Sequence, residues 1–145
     1  MVQQITIRNA ASSDIDDIYR LVCDLERKKF DFDEFAFIFE YNSLKRNIFY
    51  KVIEIDGMVI GFISLHIQYL LHHCGKVAEI QELIIDEEYR GLNMGKKVID
   101  DIRNIAIKEK CYSLEVSCGF PRERAHRFYQ TNGFTRSHFN FTCKL

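Results

Sequence analysis

The stretch IIDEEYRGLNMGKKVID, residues 84–100, decides the fold. An apolar run ends at Ile85, and a turn follows in which Arg90, Gly91, Asn93 and Gly95 leave little side-chain bulk. An amphipathic helix is expected from there through MGKKVIDDIRNIAIKEK, with Val98, Ile99, Ile102, Ile105 and Ala106 on one face. A strand that passes through such a turn into a helix is either simply tight or open to an anion. The first turn of a helix carries N–H groups without intrahelical partners and a partial positive charge. Small residues before it let a phosphate reach those donors. Gly91 and Gly95 permit close approach, and Asn93 tolerates left-handed geometry. Arg90 and Lys96 add charge, with arginine able to fork onto phosphate oxygens. The spacing is that of neither a Walker loop nor G-x-G-x-x-G.

Outward from this stretch the pattern alternates between strands and helices. QQITIRNA (3–10) alternates as a strand, and SSDIDDIYRLVCDLERKKF (12–30) reads as a helix with Ser12 or Ser13 as N-cap. DFDEFAFIFEYNSLKR (31–46) reads as a second helix. Its Phe32, Phe35, Phe37, Phe39 and Tyr41 are expected mostly in the core, although a helix this aromatic also suits a pocket wall. IFYKVIEIDGMVIGFISLHIQYLL (48–71) is a hairpin turning at Asp56-Gly57. KVAEIQELIID (76–86) and CYSLEVSC (111–118) are strands, and RERAHRFYQTN (122–132) is a helix stopped by Gly133. FTRSHFNFTCKL (134–145) is expected as a closing strand. The class is α/β (α+β): a mixed, mostly antiparallel sheet flanked by helices, in a single domain over residues 1–145.

Composition bounds the function. A net charge of -1 gives no support to general electrostatic binding of nucleic acid or membrane. No apolar run approaches membrane-spanning length, and five cysteines without a C-x-x-C pair read as free thiols in a reducing compartment. A cytoplasmic protein is expected, with a homodimer compatible with the chain.

The segment RGLNMGK after ELIIDEEY resembles the pyrophosphate signature of GNAT-superfamily acetyltransferases, Gln/Arg-x-x-Gly-x-Gly/Ala, with Asn93 in place of the first glycine. AHRFYQTNGF (125–134) is similar to the superfamily's second signature. A narrower resemblance, carried by SLHIQYLLHH, EIQELII, RGLNMG, AHRFY and SHFNFT, is to aminoalkylphosphonate N-acetyltransferases.

The resemblance implies direct acetyl transfer from acetyl-CoA to a small amine. It places pantetheine along the backbone of Leu83, Ile84 and Ile85, and pyrophosphate over Arg90, Gly91, Leu92, Asn93, Met94, Gly95 and Lys96. Tyr129 takes the role of general acid toward the leaving thiolate. Glu79 is the first candidate base and Glu82 the second, with Glu79 and Gln81 expected on one face of the strand and Glu82 on the other. His72 and His73 are candidates for binding an anionic group, with Ser137, His138 and Arg46 behind them. A divalent ion held by the histidines and Glu79 is conceivable, but neither spacing nor ligand count specifies a metal site. Gly119 stands where many superfamily members carry an asparagine that contacts pantetheine. Other small amines (an amino sugar phosphate, a polyamine, an aminoglycoside) are the alternative acceptors. A non-catalytic acetyl-CoA sensor is the alternative outside the enzyme class.

Overall fold

Strand β1 (Ile5–Asn9) leads through a short 3-10 turn (Ser12–Asp14) into helices α1 (Ile15–Glu26) and α2 (Phe32–Ser43). Strands β2 (Ile48–Ile55), β3 (Met58–Leu70) and β4 (Gly75–Ile85) follow, then α3 (Met94–Lys108), β5 (Ser113–Val116) and α4 (Glu123–Thr131). The computed structural model describes residues 3–91 and 93–145. The five strands form one sheet in the order β1-β2-β3-β4-β5, antiparallel except for the parallel β4–β5 pair.

The sheet separates two cores. On one face α3 lays Met94, Val98, Ile99, Ile102 and Ala106 against Ile53, Ile63, Leu65, Ala78 and Ile80, with Phe128 of α4 at the margin. On the other face Ile18, Leu21 and Val22 of α1 and Phe39 of α2 cover Val52, Phe62 and Ile84. The hairpin turns at Asp56 (φ 49°) and Gly57 (φ 82°), as its dipeptide requires. Gly133 (φ +90°) follows α4, where the Phe134 N–H returns to the Tyr129 carbonyl at 3.0 Å.

Several expectations need correction. The N-cap of α1 is Asp14, not Ser12 or Ser13, and its carboxylate does not cap the helix. It accepts from the Arg8 guanidinium (2.8 and 2.9 Å) and from the Ala11 N–H (2.7 Å). In α2 only Phe39 is fully buried, and Phe32, Phe37 and Tyr41 are exposed. Phe32, Phe35 and Phe39 recur at helical spacing toward α1 and the sheet, whereas Phe37 and Tyr41 stack on each other on the outer side of the helix. Residues 134–145 form no strand and are mostly exposed, with Phe139 and Phe141 in solvent. A strand needs a partner for its N–H and C=O groups, and β5 is too short to template twelve residues.

Candidate active site

β5 pairs with β4 only from Val77 to Ile80, yet β4 runs on to Ile85. The last part of β4 therefore has a backbone edge with no strand beside it among the described residues. Side chains hold that edge from both faces: Leu83 and Ile85 pack into the core under α3, and Ile84 packs into the core under α1. An extended, amide-bearing molecule can pair with such an edge as another strand would.

The edge leads into the turn before α3. A 3-10 turn (Glu87–Tyr89) is followed by Gly91 at φ +89° and Asn93 at φ 57°, both left-handed. Arg90 Nε donates to the Ile85 carbonyl at 2.8 Å, and the Arg20 guanidinium of α1 grips Asp86 at 2.9 and 3.3 Å. The loop is thus tied both to its own strand and to the opposite layer. A Cβ built on Gly91 meets nothing within 4 Å, so that glycine serves the backbone conformation. A Cβ on Gly95 would stand 2.5 Å from Phe128 Cε2, so that glycine also lets α4 pack against α3. Lys96 is exposed and pairs with Asp100 at 2.8 Å, while the Met94 side chain is buried in the core. Leu92 lies outside the described residues. Open space at Gly91, helix-end donors and two nearby cations suit a dense anion.

Tyr129 stands between the rings of Phe128 and Phe134, at centroid distances of 5.2 and 5.4 Å. Burial, with Cys118 adding and Arg122 opposing, pushes its phenol up to about 12. It therefore keeps its proton at neutral pH. Arg122 docks the start of α4 onto the end of α1, donating to the Leu25 carbonyl at 2.9 Å and lying 3.7 Å from Glu26.

The β3–β4 register slips between Ser64 and Leu65, where Leu65 faces Ile80 and Ser64 faces Glu82. Gln81 is the extra residue of a β-bulge. Ala78 and Ile80 face the α3 core before it, and Leu83 and Ile85 face that core after it. Glu79 and Glu82 consequently share the opposite face, which corrects the simple alternation expected from the sequence. Glu82 lines a cavity of about 280 Å³ between the sheet and helices α1 and α2, walled by Val22, Phe35, Phe39, Tyr50 and Phe62. Ser64, fully buried, donates its hydroxyl hydrogen to Glu82 Oε2 and accepts the Glu82 N–H at 3.1 Å. Tyr50 receives a hydrogen bond from Asn42 at 2.8 Å, fixing the cavity wall. A larger depression, of about 700 Å³, lies at the far ends of β3 and β4, where β4 and β5 are still paired. Glu82 is the residue of β4 in the cavity's lining, and it lies in the part of β4 that β5 does not cover.

A sequence profile described as the acetyltransferase (GNAT) family matches residues 15–134. The chain belongs to the GNAT acetyltransferase family. An aminoalkylphosphonate N-acetyltransferase from Salmonella typhimurium is 36% identical over 139 residues, covering 96% of this chain and 90% of that protein. Glucosamine 6-phosphate N-acetyltransferase 1 of Dictyostelium discoideum is 25% identical over 111 residues, 72% of this chain and 69% of that one. The solved structure of an aminoglycoside N-acetyltransferase in complex with CoA shares the fold, with a TM-score of 0.88 at 14% identity over 100% of this chain and 97% of that one.

This GNAT enzyme uses acetyl-CoA as its acyl donor. Not every residue singled out from the sequence meets at its site. Glu79 lies on the same face as Glu82 but roughly 10 Å back along β4 at about 3.3 Å per residue. His72 and His73 sit in the β3–β4 connection, their rings 4.3 Å apart, with His73 stacked on Tyr112 at 4.9 Å. From Gly75, just beyond them, to Glu82 the strand spans roughly 23 Å by the same rise. Arg46 lines the larger depression, and Ser137 bonds His138 at 2.7 Å in the exposed tail. Among the described residues no group of three or more His, Cys, Asp or Glu side chains is placed to hold a metal ion. Among the described residues no helix is long and apolar enough to cross a membrane. Sequence reading missed Ser64, although a lone hydroxyl inside the apolar run VIGFISL was its signal. The bulge at Gln81 left no comparable mark.

Proposed function

We propose that this acetyltransferase acetylates the primary amine of a small aminoalkylphosphonate by direct transfer. The observation that carries the reading is Glu82, held by Ser64 in the lining of an aromatic cavity and set in the part of β4 that β5 leaves unpaired. The Salmonella typhimurium relative, by its name and its coverage of nearly the whole chain, supports the phosphonate.

Acetyl-CoA, when bound, supplies a thioester carbonyl activated toward amines. The first turn of α3 with Arg90 and Lys96 would hold its pyrophosphate, and the edge of Leu83, Ile84 and Ile85 would align the pantetheine arm. The Glu82 carboxylate takes a proton from the substrate ammonium, freeing the nitrogen lone pair for attack. The new N–C bond forms as the C–S bond breaks, the Tyr129 hydroxyl gives its proton to the departing sulfur, and the remaining extra proton of the acetylated nitrogen returns, through water, to the Tyr129 phenolate. No enzyme nucleophile is needed, so Cys111 and Cys118 remain spectators. Burial raises both thiols, which keeps them in the unreactive protonated form.

An amino sugar phosphate is the second reading, favoured by the Dictyostelium discoideum relative. Thiol release from acetyl-CoA, measured with 2-aminoethylphosphonate, glucosamine 6-phosphate and ethylamine, separates them. The proposal expects 2-aminoethylphosphonate to lead ethylamine by about 10²-fold in kcat/KM, the size of one or two charge-assisted contacts. Equal values for the two would defeat the phosphonate reading. Glu82→Gln should lower kcat/KM for every amine by about 10²–10⁴-fold, and undiminished turnover in the folded variant would remove Glu82 as base.

A further inference from the structure

We infer that the acceptor's anionic group is held at the mouth of the Glu82 cavity by Lys28, with the amine pointing inward. This rests on the aminoalkylphosphonate reading above. A zwitterion needs a site with two poles, and the cavity supplies one of them. Besides aromatic and aliphatic side chains its lining carries the carboxylates of Glu82, Asp31 and Glu34, and no lysine, arginine or histidine. An ammonium is at home there and a phosphonate is not.

The second pole lies on the connection between α1 and α2. Arg27 takes the left-handed conformation (φ 50°) that ends α1, and the Lys28 N–H bonds the Cys23 carbonyl at 3.1 Å. The chain then turns so that Lys28 Nζ stands 5.3 Å from the centroid of the Phe30 ring, and Phe30 lines the cavity. Tyr19 fixes that residue by donating its hydroxyl hydrogen to the Phe30 carbonyl. Among the described residues no carboxylate lies within 4.0 Å of Lys28 Nζ, so its charge is not spent on an ion pair. Arg122, also near the end of α1, is committed to Leu25 and Glu26.

Reach excludes the basic residues of the larger depression and the β3–β4 connection. Arg46 and Lys76 line the larger depression together with Ile67, five residues from Phe62 along β3 and so roughly 16 Å away. In a two-carbon aminophosphonate the nitrogen and phosphorus are about 4 Å apart, given bonds of about 1.5 Å. With the amine at Glu82, the phosphonate cannot reach Arg46, His72 or His73. It can stay near Phe30.

The test compares wild type, Lys28→Met and Lys28→Arg with 2-aminoethylphosphonate, propylamine and 1,3-diaminopropane. Lys28 is on the surface, so each variant should fold. Lys28→Met is expected to lower kcat/KM for the phosphonate about 10- to 100-fold, chiefly through KM, with propylamine within about twofold of wild type. Lys28→Arg should keep most of the phosphonate activity. A phosphonate preference that survives Lys28→Met unchanged overturns the assignment of Lys28. A diamine that outruns the phosphonate, and gains further on Lys28→Met, also overturns it, since the mouth would then be reading a second ammonium through Asp31 and Glu34. Wild type without any phosphonate preference refutes the substrate reading itself, which distinguishes that failure from the first.

Discussion

Alanine at position 95 would bring its Cβ to 2.5 Å from Cε2 and 2.8 Å from Cζ of Phe128. Carbon atoms settle at about 3.5–4.0 Å, so the ring or the whole of α4 must retreat by roughly 1 Å. Phe128 packs at the margin of the α3 core and against Tyr129, so the displacement reaches the proposed general acid. Forcing a methyl group into such packing costs about 1–3 kcal/mol. The better helix propensity of alanine returns at most about 1 kcal/mol, and equally in any background. Phe128→Leu removes the obstructing ring edge at its own packing cost. Urea unfolding of wild type, both single variants and the double variant then closes a cycle. The double variant should be more stable than the sum of the singles predicts, by about 1 kcal/mol or more. Additivity within about 0.3–0.5 kcal/mol would refute the steric argument. Acetyl-CoA titration of the same four proteins tells packing from access. Affinity lost in Gly95→Ala and regained in the double variant marks packing, whereas affinity lost in both marks a backbone that the pyrophosphate must approach.

Tyr129→Phe should lower turnover by about 10²–10⁴-fold with acetyl-CoA affinity nearly unchanged, and undiminished turnover in the folded variant would remove it from the mechanism. The same residue shapes stability in alkali. Above about pH 10 the unfolded chain surrenders this phenolic proton while the folded protein keeps it up to about 12. Stability should therefore fall across that window by on the order of 2 kcal/mol, and urea melts of Tyr129→Phe should lose this component. At the acid end the Arg8 guanidinium, hydrogen-bonded to Asp14, holds that carboxyl below the usual range. Its contribution is complete above the unfolded carboxylate pKa and disappears as pH falls through the depressed value. Asp14→Asn should cost about 1–3 kcal/mol at pH 7 and weaken the acid dependence of the melting midpoint.

Local chemistry explains what could be read in advance. Asp56-Gly57 named its turn because few dipeptides tolerate two successive positive φ angles, and both residues adopt them. The helical spacing of Val98, Ile99, Ile102 and Ala106 named the face that α3 buries. Arg90, Gly91, Asn93 and Gly95 marked the turn before α3 as sterically open, although the collision awaiting any Cβ at Gly95 depends on Phe128, 33 positions away along the chain. Other features depend wholly on pairing between distant segments. The face of Glu82 follows from a register shift against β3, and the closing segment 134–145 alternates like a strand yet finds no ladder. Histidines beside a hairpin end looked close to the chemistry because sequence distance along β4 hides how far a strand extends.

The irregularity at Gln81 makes the parity of β4 a local property. Odd and even positions exchange sides there, so the strand fills the core under α3 with even-numbered residues before the irregularity and with odd-numbered ones after it. Pairing the same residues without the irregularity would carry Glu82 to the side now taken by Leu83, sending a carboxylate into the oily interior and leucine into the Glu82 cavity, whereas deleting Gln81 itself would restore strict alternation and leave Glu82 where it is. A graft of the whole strand onto a scaffold that pairs it without the irregularity would keep every residue type and still invert the site. The pairing register of the segment therefore decides which side each group takes as much as its composition does.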